Sequence, residues 1–337
     1  MTRRPPLVFI FTVTLTGILN NTLVTPAIPN VLAEFDVGPE GAGLLVATGS
    51  VAGIVVAPVV GIIADRLGRR AVLTACLMIF GLFGGLSALA PSFEILLVAR
   101  FAQGVGSAGL INLAVVLIGD NWSGLERTRL IGRNSAVLTV GLAALPLLSG
   151  VVTELTSWRV TFGLFTVALV TGVAAWLILQ PGRPAARPRV SDQIKDAVEV
   201  VRQPVLLATL ATGLVVFMVI FGLFLTVVPV HLADEFGLGA GARGVVIALP
   251  AVTSTIAAFN LGRISSRLGV RSLVIGTASV LAISFVMMGM AGTLLLVGLA
   301  ALLYGASEGA LIPLLQDLAI EYAPAEQRAA VVAVWVG

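Results

Sequence analysis

The sequence predicts an all-α integral membrane protein. Hydrophobic residues make up 58% of its 337 residues and charged residues only 11%, whereas soluble domains carry roughly 25% charged residues. Apolar runs of about 20 residues recur along the chain, and each can cross a hydrocarbon core about 30 Å thick. Inside lipid the backbone must satisfy its own hydrogen bonds, so these runs are predicted to be helices. The period-two alternation of a membrane barrel is not seen.

Breaks rich in charge, glycine or proline divide the chain into about ten complete transmembrane helices and the start of an eleventh. The predicted spans are Leu7–Val31, Gly43–Ile63, Ala71–Leu89, Ile95–Ile118, Ser135–Val152, Val160–Leu179, Val205–Val230, Gly244–Leu261, Leu273–Ala291 and Leu294–Leu318. The next apolar run starts at Ala329 and stops at Gly337. We therefore expect a chain truncated at its C-terminus.

The distribution of arginine and lysine predicts the orientation. With the N-terminus in the cytoplasm, 17 of the 20 basic residues fall in inside loops, and only Arg159 and Arg243 fall outside. The remaining one, Arg100, lies within a span. Since basic residues concentrate in cytoplasmic loops, the sequence predicts a multi-pass protein of the inner or plasma membrane. The small net charge of +3 gives no indication of a nucleic-acid partner.

An internal repeat predicts two pseudo-symmetric six-helix bundles. At an offset of 201 residues, Gly68 matches Gly269 and Gly104 matches Gly305. The predicted domains are an N-terminal bundle (1–180), a cytoplasmic linker with a short surface helix (181–203) and an incomplete C-terminal bundle (204–337). Parallel repeats of this kind place a substrate site near the membrane midplane, between the halves.

A charged turn follows the second span. It contains Gly61, Asp65, Arg66, Gly68, Arg69 and Arg70. Its glycines allow a tight reversal, and Asp65 is placed where a carboxylate can pair with an arginine or cap a helix N-terminus. Anchoring of the turn by positive charge is one interpretation; it explains Arg69 and Arg70 but not Asp65.

An arginine lies about two turns into the fourth span. Arg100 is costly inside a membrane unless it is paired or hydrated. Gln103 and Ser107 follow it on one polar stripe, whereas Gly104 and Ala108 allow a neighbouring helix to approach closely. The alternative is an arginine that reaches the outer interface near Glu94.

These motifs resemble the major facilitator superfamily of secondary transporters. The charged turn is similar to that family's G-x-x-x-D-R-x-G-R-R signature, and Arg100 to Gly106 is similar to its R-x-x-Q-G-x-G motif. The fifth span resembles the G-x-x-x-G-P-x-x-G-G element of drug/proton antiporters at Gly141, Pro146 and Gly150, but Leu145 and Ser149 depart from it. The resemblance implies a cytoplasmic latch at the charged turn and a proton-coupling role for Arg100.

Glu308 is the second ionisable group within a span. At the repeat offset it matches Ser107, so each half supplies one charged group, of opposite sign, on equivalent helices. A carboxyl group in that setting could exchange a proton near neutral pH. We expect Glu308 or the Arg100 cluster to carry the coupling proton; the alternative is a structural ion pair or a polar kink.

Several polar and aromatic residues are candidates for a substrate pathway. Asn20 and Asn21 lie near the middle of the first span and Asn112 deep in the fourth, and Gln103 continues the Arg100 stripe. Phe217, Phe221 and Phe224 fall on one side of the seventh span, where an aromatic wall would suit flat, lipophilic substrates. The alternatives are amides that join helices and a lipid-facing aromatic stripe.

The sequence contains no Gly-x-x-x-x-Gly-Lys-Ser/Thr loop, catalytic triad or metal cluster, so we expect neither an enzyme nor a cofactor. The expected function is a monomeric, proton-coupled secondary transporter that exports drugs or other lipophilic small molecules by alternating access. Its partners would be the substrate, protons and the lipid bilayer. The alternatives are an uptake symporter for sugars or organic acids, and a non-functional truncated transporter.

Overall fold

The computed structural model describes residues 4–181 and 204–322, and the regular structure of these residues is entirely helical. Ten helices in this part of the chain are long and apolar enough to cross a membrane. They are α1 (Leu7–Glu34), α2 (Glu40–Leu67), α3 (Arg69–Ser87), α4 (Phe93–Asn121), α5 (Gly124–Leu155), α6 (Trp158–Ile178), α7 (Pro204–Met218, Val219–Val227 and Val228–Asp234), α8 (Ala240–Leu268), α9 (Val270–Gly289) and α10 (Leu294–Tyr322). The ten predicted spans are confirmed. The predicted linker helix and eleventh run lie outside the described residues.

The span predicted from hydropathy for α5 is shorter than the helix in the structure. The predicted span Ser135–Val152 is the apolar part of a helix that runs from Gly124 to Leu155. Its first turns carry exposed charges at Glu126, Arg127, Arg129 and Arg133. Charge ends the lipid-embedded part of a helix, but it does not interrupt the backbone hydrogen bonds, so the helix continues beyond the apolar run.

Three of the membrane helices are not regular α-helices along their whole length. The α-helical part of α1 ends at Thr22, and a 3₁₀ turn at Thr25–Ala27 precedes Ile28–Glu34. Pro26 lies in this turn and lacks the N–H that a continuous helix would use. Helix α4 is interrupted between Ser107 and Leu110, and α7 is π-helical over Val219–Val227. Such irregularities are frequent at functional sites.

The described residues form two compact units. The first contains residues 4–181 together with Leu225–Gly244, and the second contains 204–224 and 245–322. The end of α7 and the start of α8 therefore pack with the first six helices. The boundary between the N-terminal and C-terminal bundles at residues 181–203 stays a prediction.

The repeat predicted at an offset of 201 is visible in the local geometry. A Cβ at Gly104 in α4 would overlap the main-chain oxygen of Gly49 in α2, and a Cβ at Gly305 in α10 would overlap that of Pro250 in α8. Pro250 and Gly305 lie 201 positions after Gly49 and Gly104, respectively. The same close helix contact is thus built once in each unit.

Candidate functional site

Arg100 forms a buried polar cluster within the first unit. Its side chain is fully buried. Its Nη1 donates to Oε1 of Gln103 at 2.7 Å, and its Nη2 donates to the main-chain oxygen of Asn20 at 2.9 Å. The structure therefore brings together three of the predicted site residues. Because the side chain is enclosed, the alternative in which Arg100 reaches the outer interface is wrong.

The break in α1 frees the carbonyl group that Arg100 uses. The N–H of Val24 bonds to the oxygen of Asn21, three residues back, and not to that of Asn20. An interrupted helix leaves main-chain oxygens without their usual donor. The guanidinium of Arg100 occupies that place at Asn20, so the proline-associated break and the buried arginine are parts of one arrangement.

Gly49 in α2 makes room for this arrangement. A Cβ at this position would lie 2.5 Å from Nη2 of Arg100. The oxygen of Gly49 also accepts a hydrogen bond from Nδ2 of Asn20 at 3.4 Å. This contribution of Gly49 is not visible in the sequence, because the need for a glycine comes from a side chain on a neighbouring helix and not from a turn.

The hydrogen bonds that the structure describes for Arg100 go to neutral acceptors only. Three buried atoms of the cluster have no hydrogen-bond partner among the described residues: Nε of Arg100, Oδ1 of Asn20 and Nε2 of Gln103. The Arg100 guanidinium also lies 5.8 Å from the centre of the Phe165 ring. Buried polar atoms are normally hydrogen-bonded. The cluster thus has donors and acceptors left over for a proton, a water molecule or a substrate group.

The other predicted amides lie outside this cluster. Asn21 is half-buried, and its Oδ1 accepts from the hydroxyl of Ser50 at 3.3 Å. Asn112 is also half-buried and lies beyond the break in α4, about three helical turns from Arg100.

The charged turn connects α2 directly to α3 through Gly68. This residue has φ 89° and ψ 149°, a conformation that residues other than glycine adopt at a cost. Arg69 donates to Oδ2 of Asp120, at the end of α4, at 3.2 Å. The guanidinium of Arg70 lies 3.9 Å from the centre of the Trp176 ring in α6. The turn is thus attached to two other helices of the first unit.

Sequence reasoning missed Asp120 and Trp176, although each lies near the end of an apolar run on the same predicted side as the turn. Arg66 is exposed, and the side chain of Asp65 lies outside what the structure describes. A Cβ at Gly61 would meet nothing within 4 Å in the described structure, so close approach does not explain this glycine.

Glu308 lies in the second unit beside an aromatic cluster. It is half-buried on α10 and shares a hydrogen bond with the hydroxyl of Tyr304, one turn earlier. The Tyr304 ring stacks on Phe224 with centroids 4.1 Å apart and meets the edge of Phe285 at 5.5 Å. Neither aromatic contact was predicted.

The three phenylalanines of α7 do not form one wall. Phe217 and Phe221 stack on each other with centroids 6.3 Å apart, whereas Phe224 is buried against Tyr304. The prediction that all three line one face assumed regular α-helical spacing. The π-helical segment Val219–Val227 changes that spacing between Phe221 and Phe224.

The predicted antiporter element of α5 lies against other helices. A Cβ at Gly141 would overlap Ile18 of α1, and one at Gly150 would overlap the oxygen of Ala240; the oxygen of Pro146 lies beside Gly244. Ser149 stands where the family element has glycine, and its hydroxyl donates to the oxygen of Leu23 at 2.5 Å. The departure from the motif therefore supplies a hydrogen bond to the break in α1.

The Major Facilitator Superfamily model matches residues 10–336, so this chain belongs to that family of transporters. A bacillibactin exporter from Bacillus subtilis is 25% identical over 73% of this chain and 63% of its own length. A lincomycin resistance protein from Streptomyces lincolnensis is 35% identical over 51% of this chain and 36% of its own length. The multidrug resistance protein MdtM from Salmonella typhimurium is 26% identical over 65% of this chain and 54% of its own length. The matches thus span less than two thirds of each of these relatives.

Solved structures agree on the fold. An inward-facing bacterial homologue of the lysosomal transporter Spinster superposes with a TM-score of 0.82 over 98% of this chain and 78% of that one, at 17% identity. The nucleoside transporter NupG gives a TM-score of 0.76 over 98% of this chain and 86% of that one, at 11% identity. The fold of the chain is therefore the fold of these transporters.

Proposed function

We propose that this protein exports lipophilic small molecules across the cell membrane in exchange for protons, by alternating access. Three relatives, one named as an exporter and two as resistance proteins, support the direction of transport. The distribution of basic residues supports a cytoplasmic N-terminus. We further propose that the protein works as a monomer, because each chain of this family should contain its own transport pathway.

The observation that carries the proton-coupling proposal is the position of Glu308. It is a half-buried carboxyl group within a membrane helix, and its described hydrogen-bond partner is a tyrosine hydroxyl and not a basic residue. Ionisable groups inside membrane spans mark proton or substrate pathways. Glu308 is therefore the proposed proton carrier, with the aromatic residues Phe224 and Tyr304 beside it.

Arg100 has a supporting role in the proposal. Its hydrogen bonds connect α4 to the break in α1 through the Asn20 carbonyl, so a rearrangement of α1 changes the environment of the guanidinium. Asn20 and Gln103 offer unpartnered polar atoms in the described structure. We assign these residues, with Asn21, Asn112, Phe217 and Phe221, to the pathway of substrate and proton, and we assign the charged turn at Gly68 to gating on the cytoplasmic side.

Accumulation of ethidium by cells tests this function. Cells that express the protein should accumulate less dye than control cells, and a protonophore should abolish the difference. E308Q should behave like the empty vector because glutamine cannot release a proton, and E308D should retain part of the activity. D317N is the matched control, since Asp317 lies on the same helix but is exposed. Equal export by E308Q and the parent protein would remove Glu308 from the mechanism.

A further inference from the structure

Arg243, in the first turns of α8, is buried against α1. It is 4% exposed. Its Nε donates to the main-chain oxygen of Pro26 at 3.0 Å, its Nη2 donates to Oδ1 of Asn30, and its Nη1 donates to the oxygen of Leu238 at 3.0 Å. One guanidinium thus binds two residues of α1 that are more than 200 positions away in the sequence.

A second contact joins the same segment to α5. The N–H of Gly241 donates to Oε2 of Glu154, and a Cβ at Gly241 would lie 2.6 Å from that oxygen. Glu154 thus places a carboxylate at the N-terminal end of α8, where the helix dipole favours negative charge. Close main-chain packing of Gly150 against Ala240 continues this contact along α5. We name the contacts of Arg243 and Glu154 the α8 junction.

The chemistry of the α8 junction suits a contact that forms and breaks. The described hydrogen-bond acceptors of Arg243 are neutral oxygens. The exposed carboxylate of Glu154 binds the Gly241 amide and attracts the Arg243 guanidinium electrostatically, with no hydrogen bond between the two side chains among the described contacts. Water can replace such partners when the site opens, because each is an ordinary hydrogen-bond donor or acceptor. A buried salt bridge would leave two desolvated charges to separate, which is a larger barrier to opening.

We propose that Arg243 and Glu154 are positioning residues that hold the outer end of the transporter closed in one state of the transport cycle. The inference rests on the alternating-access function proposed above and on the predicted topology, which places Arg243 outside. The contacts join the start of α8 to α1 and α5, two of the first six helices. Opening on this side requires them to separate, so they stabilise only the closed state and their loss shifts the population towards the open one.

Arg159 provides a matched control. It also lies in a predicted outer loop, and it donates to Glu34 at 2.7 Å and to the oxygens of Ala88 and Ala90, both at 2.9 Å. These contacts connect α1, the end of α3 and α6, and none involves α8. Loss of Arg159 removes four described hydrogen bonds, against three for Arg243, but it should not release the start of α8.

Labelling with a membrane-impermeant maleimide from the outer face tests the proposal. Cys76 is the single cysteine, so C76S provides a cysteine-free background, and A27C introduces a probe at a fully buried position next to Pro26. R243A should increase the labelling rate about tenfold, the shift expected for loss of one charge-assisted hydrogen bond. The labelling rate of R243K should fall between those of R243A and the parent, and E154Q should also be labelled faster than the parent. The labelling rate of R159A should stay within about twofold of that of the parent.

Two results would overturn the assignment: labelling of R243A and E154Q at the parental rate, or an equal increase in R159A. E154Q alters an exposed side chain, so it keeps the test valid if R243A fails to fold. Ethidium export is measured in parallel on the same variants. A parent protein that exports nothing contradicts the proposed function, whereas the labelling ratios decide on the α8 junction independently.

Discussion

Gly68 and Gly269, which are 201 residues apart, adopt nearly the same left-handed backbone conformation, with φ 89° and ψ 149° at the first and φ 73° and ψ 146° at the second. Each is the single residue between two consecutive helices, α2 and α3 or α8 and α9. The two halves of the repeat therefore share the backbone conformation at this position as well as the residue type.

Replacement of either glycine by alanine should destabilise the protein. A side chain at these dihedral angles costs about 1–3 kcal/mol, so we expect G68A and G269A to lower the unfolding temperature in detergent. G61A is the control, because Gly61 lies within α2 with open space around its Cα and alanine favours a helix by about 0.5–1 kcal/mol. An unfolding temperature of G68A at or above that of G61A would contradict the argument.

Gly49 should be required for transport. The Cβ of G49A would lie 2.5 Å from Nη2 of Arg100, so the guanidinium must move away from the Asn20 oxygen or α2 must shift. We expect a loss of ethidium export of at least about tenfold, which corresponds to the loss of one charge-assisted hydrogen bond. Surface expression should be maintained. G43A is the matched control, since Gly43 lies on the same helix with nothing within 4 Å of its Cβ position.

Normal export by G49A would show that the geometry of the Arg100 cluster does not matter for transport. A loss in both G49A and G43A would instead point to a general effect of alanine on α2.

The negative charge of Asp120 should hold Arg69 of the charged turn in place during transport. D120N removes the ion pair with Arg69 that the structure shows at 3.2 Å, and this partly exposed pair contributes about 1 kcal/mol or less to stability. We therefore expect an almost unchanged unfolding temperature but slower export. The charge exchange R69D/D120R should recover part of the export that R69D loses. No recovery would show that other contacts of Arg69 determine its role.

The sequence predicts the helices well because lipid imposes a simple rule: a run such as Ala71–Leu89 must be helical to satisfy its own backbone. It also predicts the turn at Gly68, where glycine and charge mark a short reversal. Contacts between helices are less visible. Asp120, Tyr304 and Gly49 act through neighbours that are distant in sequence, and residue type alone does not identify those neighbours.

The aromatic residues of α7 show a second limit. Counting residues at i, i+4 and i+7 assumes 3.6 residues per turn, and the segment Val219–Val227 is π-helical. No single residue in this apolar segment indicates that the helix becomes π-helical. Arg243 shows a third limit, since a lone arginine in a predicted loop gives no sign that it is buried against α1.

Proton flux in everted membrane vesicles tests the central claim most directly. In vesicles with an acidified interior, ethidium added to the medium enters the lumen through an exporter, and protons should leave in exchange. We predict that a pH-sensitive dye reports alkalinisation of the lumen with the parent protein and D317N, and no change with E308Q. Acidification of the lumen on adding substrate, or substrate movement without any proton flux in the parent protein, would contradict proton-driven export.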